Sequence, residues 1–186
     1  MVAPSRAADP GSEAFEAKDY KGAIALWEPE ARAGSMLHQF NLAIAYETLG
    51  DRGHASDWYA HAARQGYQPA IDRLITLPFA GGYNNQASLN ALSVLSQRAG
   101  GLNPKGLYEL AQYYEARGQW YRQEKNEPTV DNHDTVDAWA LYALAQEAGN
   151  NAAAADARRL WPLLQADAHK TAAERQMTRW RRSFSD

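Results

Sequence analysis

The hydrophobic positions of this chain fall at helical spacing, in blocks cut by glycine. In the stretch LAIAYETLGDRGHASDWYAHAARQG, from Leu42 to Gly66, Leu42, Ala43 and Tyr46 stand at i, i+1 and i+4 on one helical face. Gly50 stands where that face ends, and glycine enters the left-handed conformation that closes a helix with no steric penalty. Asp51 follows as an N-cap acceptor, and Ala55, Tyr59, Ala62 and Ala63 form the apolar stripe of a second helix that stops at Gly66. The stretch predicts two short helices joined by a tight turn.

The same arrangement recurs along the chain. Asp19, Asp51, Asn85 and Asp134 each precede an alanine- or leucine-bearing helix, and fifteen residues after each comes a glycine: Gly34, Gly66, Gly100 and Gly149. The pattern LAxxYExxG occurs from Leu42 to Gly50 and again from Leu110 to Gly118, sixty-eight residues on, or two periods of thirty-four. Self-similarity at such a period is the mark of stacked helix pairs. Helices are expected over 12–18, from the Asp19 cap toward Ala33 with a bend near Trp27 imposed by Pro29, and over 35–49, 52–65 and 68–77. After a turn at 78–83 they continue over 86–99, from Asn103-Pro104 to Gly118, over 134–148 and over 151–165. Thr171 and Glu174 read as the capping box of a final helix whose stripe is Ala173, Met177, Trp180 and Phe184, with Arg175, Arg179 and Arg182 facing away. The cap spacing from Asn85 to Asp134 is forty-nine residues where thirty-two to thirty-four is the rule, so 119–133 reads as an inserted loop. Residues 1–11 read as a disordered N-terminal remnant and 12–186 as one helical-repeat domain.

LAxxYxxxG, a Trp or Tyr at the middle of the following helix, and a closing Ala-x-x-Gly (Ala31 to Gly34, Ala63 to Gly66) together resemble the Sel-like repeat family, a branch of the tetratricopeptide superfamily. The opening AFEAKDYKGAIALWEPEARAGS looks like the first repeat of many bacterial members, including its Leu26-Trp27-x-Pro29 run. The resemblance extends over about residues 12 to 165, and between Gln68 and Gly100 it rests on cap and stop positions alone. It implies an all-α fold, a right-handed α-solenoid of about five antiparallel helix pairs closed by a C-terminal capping helix. The family's common theme is protein–protein interaction and assembly, with no shared reaction.

Composition narrows the function classes. The 186 residues are 45% hydrophobic and 22% charged, which suits one globular domain. A net charge of -3 and a pI of about 6.0 provide no general basic field for nucleic acid or an acidic membrane surface. The segment after Gly149 carries seven Lys and Arg against four Asp and Glu, which reads as the solvated face of a capping helix. No apolar run approaches the roughly 20 residues that span a bilayer. Cysteine is absent, which removes thiolate metal sites and cysteine nucleophiles. Ser5-Arg6-Ala7 before Ala8 offers small residues suited to a signal-peptidase site, so a periplasmic protein whose chain begins near a cleavage point is expected, with a cytoplasmic protein as the alternative.

His54, Asp57 and His61 lie at i, i+3 and i+7, a spacing that could hold a metal, but no further ligand is near in sequence and a solvated face is the expected reading. No G-x-S-x-G, phosphate-cradling glycine loop or HExxH occurs, and no catalytic residue or cofactor is assigned. The expected function is a non-enzymatic bacterial scaffold or adaptor that binds a protein or peptide in a concave groove, with no nucleic acid and no membrane insertion. Its alternatives are an inhibitor or immunity-type cap on one enzyme or toxin and, third, an envelope enzyme or sugar-binding protein. In such arrays the first helix of each pair lines the groove, which nominates Phe40, Ile44 and Glu47 and, sixty-eight residues on, Tyr108, Gln112 and Glu115. Trp120 and Tyr121 are added as candidates from the inserted loop.

Overall fold

In a computed structural model, residues 9–80, 84–125, 133–164 and 167–185 are described. They form ten α-helices with no strand among the described residues. The first five are α1 (Pro10–Glu16), α2 (Tyr20–Arg32), α3 (Met36–Thr48), α4 (Arg52–Arg64) and α5 (Gln68–Thr76). The rest are α6 (Asn85–Ala99), α7 (Pro104–Lys125), α8 (His133–Glu147), α9 (Ala153–Leu160) and α10 (Asp167–Phe184), with short 3-10 turns after α5, α6 and α9. The all-α expectation therefore holds. By packing, the described residues divide within α6 into two compact units: those to Leu77 with Asn84–Asn90, and Pro78–Ala80 with those from Ala91 onward.

The first unit is built on a sixteen-residue rhythm of turns. The left-handed residue falls at Lys18, Gly34, Gly50 and Gly66, with φ of 65°, 101°, 81° and 89°. At each turn the next amide reaches back five residues: Asp19 N–H to Ala14 O, Ser35 to Glu30, Asp51 to Tyr46 and Tyr67 to Ala62, at 2.9–3.2 Å. These are Schellman closures, which satisfy carbonyls the helix end would otherwise leave bare. Three of the residues that follow then cap the next helix: Asp19 accepts from Gly22 N–H, Ser35 from His38 and Asp51 from His54. Each helix from α1 to α4 packs on its successor. The core runs through Ala23, Trp27, Leu42, Ala43, Tyr59, Ile71 and Leu74.

The N-terminus begins earlier than the sequence pattern suggests. Asp9 accepts from the Ser12 amide and hydroxyl and, at 2.5 Å, from Trp27 Nε1, and Pro10 starts α1. Burial opposes ionisation of this carboxyl, but the bonds from Trp27 and Ser12 outweigh it and hold its pKa below the usual value. Residues 9–11, expected in a disordered remnant, are thus ordered, while residues 1–8, with the candidate cleavage site, lie outside the described residues. Pro29 does not break α2, which continues to Arg32.

In the second unit α8 packs against α7, α9 and α10. Gly118 does not end α7, as its place in LAxxYExxG suggested: the helix continues to Lys125, and Gly118 is buried where an added Cβ would lie 3.1 Å from the Cβ of Asp134. Its smallness, not its φ freedom, is what the site uses. Residues 119–125, expected in a loop, are helical, and 126–132 lie outside the described residues. Asp134 stands in the first turn of α8 and pairs with Arg117 at 2.5 Å instead of capping. The α6 cap is Asn84, not Asn85, and the left-handed residue after α6 is Gly101 (φ 63°), not Gly100. The α9 helix gives way to a 3-10 turn over Trp161–Leu163 at Pro162. The final helix starts at Asp167, so Thr171 is interior; Ala173 and Phe184 are buried and Arg175, Arg179 and Arg182 exposed, as the stripe predicted.

The α10 helix docks on α8 through a carboxylate. Asp137 accepts from Gln176 Nε2 at 2.6 Å and Trp180 Nε1 at 3.1 Å. Burial raises its pKa, helped by Asp134, and the two hydrogen bonds and Arg117 only partly offset that. A raised carboxyl pKa means the fold binds the proton more tightly than the unfolded chain, so stability increases as pH falls through the folded pKa toward the ordinary value of 3.8. Asp137→Asn keeps an acceptor for both donors and removes the charge. It is expected to be at least as stable as the native protein at neutral pH and to lose this acid-side gain, whereas Asp137→Leu, leaving two donors unmatched, should be destabilised by about 1–3 kcal/mol. Urea unfolding of the three proteins at pH 7 and pH 5 checks both, and a marked loss of stability in Asp137→Asn at pH 7 would show that the charge is needed.

Candidate functional site

The two units contain the same three-helix pattern, α3-α4-α5 in the first and α7-α8-α9 in the second. Leu42 and Ala43 correspond to Leu110 and Ala111, Ala55, Tyr59 and Ala62 to Ala138, Tyr142 and Ala145, and Ile71 and Leu74 to Ala157 and Leu160; every one is buried. The turn after the second helix is also shared, with Gly66 and Gly149 at φ of 89° and 105°. Tyr46 and Tyr114 correspond too, but only Tyr114 is core; Tyr46 is half-exposed and stacks on His54 with ring centroids 5.1 Å apart.

A polar stitch joins the three helices in each copy. Tyr59 donates to Glu47 Oε2 at 2.8 Å, and Arg73 pairs with Glu47 Oε1. In the second copy Tyr142 donates to Glu115 Oε2 at 2.9 Å, and the Arg159 fork donates to both Glu115 oxygens at 2.8 and 2.9 Å. An aromatic from the first helix lies against the tyrosine: Phe40 is 5.4 Å from Tyr59 and Tyr108 is 5.3 Å from Tyr142, centroid to centroid. Burial, then the adjacent glutamate, raises the pKa of Tyr59; for Tyr142 the same two causes act in the same order. The bonds to Glu115 and then Asp156 raise that of Arg159.

Beside this stitch the copies differ in one hydrogen-bonded pair. Where the first has Phe40 and Ala70, the second has Tyr108 and Asp156, with Tyr108 O–H donating to Asp156 Oδ2 at 2.9 Å. Asp156 also accepts from Arg159 at 2.9 Å, and Gln119 donates to Glu115 at 2.9 Å. Around them opens a cleft of about 220 Å³ lined by Tyr108, Gln112, Glu115, Ala116, Gln119, Tyr142, Asp156 and Arg159. It holds two carboxylates against one guanidinium, a net negative site.

The structure thus brings together Tyr108, Gln112 and Glu115 of the sequence candidates. Trp120 and Tyr121 lie further along α7 and pack on each other at 5.0 Å. In the first unit Ile44 lines a different hollow, with Ser12, Phe15, Glu16, Trp27 and Asn41, while Phe40 packs on Tyr59 and Tyr67 and Glu47 is held by Tyr59 and Arg73. Sequence reasoning missed Tyr142, Asp156, Arg159 and Gln119; the signal available for the arginine was its place on the helix after each Tyr-bearing helix. His54, Asp57 and His61 are exposed. His54 Nδ1 lies 2.6 Å from Asp51, and Asp57 accepts from Asn90 at 2.7 Å. Among the described residues no three metal-ligating groups cluster.

Residues 9–90 match the family model described as a domain of unknown function, DUF6340. The match ends at Asn90, where the first unit ends. No curated protein and no solved structure matches the chain. None of the helices among the described residues is long and apolar enough to cross a membrane.

Proposed function

We propose that this chain is a non-enzymatic protein–protein interaction module, a Sel-like α-solenoid acting as a scaffold or adaptor in a bacterial envelope. The sixteen-residue turn rhythm and the duplicated three-helix pattern support the repeat reading. The observation that carries the binding role is the Tyr108–Asp156 pair. The first copy holds the same core with Phe40 and Ala70, so the hydroxyl and the extra carboxylate are surplus to the scaffold. At about 220 Å³ the cleft is below the roughly 300–1,000 Å³ of small-molecule pockets and suits a single long side chain. Its excess negative charge selects a lysine or arginine, whose methylene stem can lie on the Tyr108 ring while its head meets Asp156.

The test gives the second copy the first copy's residues at this pair. Full-length protein and the double variant Tyr108→Phe/Asp156→Ala are used to capture partners from a bacterial lysate, and the main wild-type partner is then titrated against both. The variant is expected to fold normally and bind at least tenfold more weakly, about 1.4 kcal/mol. Equal affinity would remove the cleft from the binding surface.

A further inference from the structure

The second unit presents another cleft, between α8 and the end of α9. Trp139, Ala143 and Gln146 of α8, at i, i+4 and i+7, face Ala157, Arg158 and Trp161 across about 340 Å³. The two indoles pack at 4.8 Å over the buried cluster of Val136, Leu164 and Ala173, and Lys170 Nζ stands 5.8 Å over the Trp161 ring. Trp139, Ala143 and Trp161 are nonetheless half-exposed.

The first unit shows what such a face receives. The corresponding residues there are Ser56, Ala60 and Ala63 on α4, and Ile71, Asp72 and Ile75 on α5; all but Asp72 are 0–7% exposed. The start of α6 lies against this side: Asn90 donates to Ser56 Oγ at 2.8 Å and to Asp57 at 2.7 Å, and Ala87 and Ser88 are buried. In the second unit α10 is fixed to α8 at Asp137 and Glu147 and reaches this face only beneath and beside it, through Ala173 under the indoles and Lys170 over Trp161, and no α10 residue lines the cleft.

We infer that the Trp139–Trp161 cleft docks an amphipathic helix of a partner protein, one that sets small or apolar side chains on the indoles and a carboxylate against Arg158. This deepens the interaction-module reading and rests on it. Two differences between the copies define the occupant. Serine is replaced by Trp139, which enlarges the apolar contact, and Asp72 by Arg158, which reverses the charge. The Arg158 guanidinium is exposed; its Nε donates to Ala154 O at 3.1 Å, and no carboxylate among the described residues pairs with it. A second copy docked symmetrically through the same face would set Arg158 near its own counterpart, which disfavours self-association.

A phage-displayed library of helices randomised on one face is selected against the full chain, and the enriched peptides are titrated against Trp139→Ser, the first unit's own residue, and Arg158→Glu. Enrichment of acidic helices that lose at least tenfold in affinity to each variant is expected, with lysine- or arginine-bearing helices selected by Arg158→Glu. Circular dichroism confirms the fold of Trp139→Ser, and Arg158→Glu, altering an exposed side chain, stands as an independent check. No binders, binders without charge bias, or wild-type dimers that Trp139→Ser dissociates would each overturn the inference. Binding lost in Tyr108→Phe/Asp156→Ala but kept in both cleft variants would sink this inference and leave the Tyr108 cleft standing; the reverse pattern would do the opposite.

Discussion

Gly106→Ala is expected to destabilise the second unit by at least about 3 kcal/mol, the largest effect of any methyl-sized change considered for this chain. The chain leaves α6 through two left-handed residues, Gly101 (φ 63°) and Leu102 (φ 54°), and enters α7 at Pro104 with Asn103 capping the amides of Lys105 and Gly106 at 3.0 and 3.1 Å. This reversal presses the first turn of α7 onto the end of α6. A Cβ on Gly106 would stand 2.0 Å from the Arg98 carbonyl oxygen and 2.6 Å from the Ala99 nitrogen. Those are backbone atoms, which cannot rotate aside, so the helices must separate. Separation also strains the fork between Arg98 and Glu109, at 2.7 and 3.1 Å, whose carboxylate is almost fully buried. Overpacking alone costs about 1–3 kcal/mol, and loosening a buried ion pair adds to it. The melting temperature should fall by roughly 10 °C or more. Gly118→Ala is the control: its Cβ would meet the Cβ of Asp134 at 3.1 Å, a far smaller overlap than the 2.0 Å at Gly106, and its effect should be smaller. Equal melting temperatures for the wild type and Gly106→Ala would mean that α6 and α7 approach less closely than described.

The contrast between these glycines marks what the sequence could and could not convey. Gly34, Gly50 and Gly149 announced helix ends because each is followed by a Ser, Asp or Asn, and Gly66 because it closes the apolar stripe of α4; all four have positive φ. Gly118 occupies the same place in the same local pattern yet sits inside a helix, because a glycine can be selected for size as well as for φ, and a local pattern does not distinguish the two. Lys18 errs in the other direction: it takes the left-handed conformation with φ 65° although nothing in its identity advertises it, and only the sixteen-residue spacing to Gly34 points there. Asp134 and Thr171 read as caps because each stands at the correct offset from apolar positions, but Asp134 found Arg117 seventeen residues back and α10 began a turn earlier than its capping box. Short-range chemistry was legible where one turn decides it. The candidate cleft was legible only on the face of α7, as Tyr108, Gln112 and Glu115, since periodicity places residues on one helix and is silent about which arginine from a helix forty-four residues on will reach them.

The Glu115 carboxylate is expected to hold the three-helix stitch of the second unit, and its weight should lie on the buried tyrosine more than on the arginine. Glu115→Ala removes four hydrogen bonds, from Tyr142, Gln119 and both arms of Arg159. Arg159 is half-exposed, its side chain at 50%, so an unpaired guanidinium regains water and that part of the loss is small. The Tyr142 hydroxyl cannot do so: the residue is 2% exposed, and an unsatisfied buried donor costs about 1–3 kcal/mol. The total should be about 2–3 kcal/mol in urea unfolding, with Arg159→Ala well below it. Double-mutant cycles should accordingly give a larger coupling for Glu115 with Tyr142 than with Arg159. Alkali offers a second readout. Burial and then Glu115 raise the Tyr142 pKa above its ordinary value of 10.0, so the fold retains a proton that the unfolded chain releases, and stability present below pH 10 is lost as pH rises beyond it. Tyr142→Phe should lose less stability between pH 9 and pH 11 than the wild type does. If Arg159→Ala proved as damaging as Glu115→Ala, the stitch would be an ion pair in substance, and the buried hydroxyl only a bystander to it.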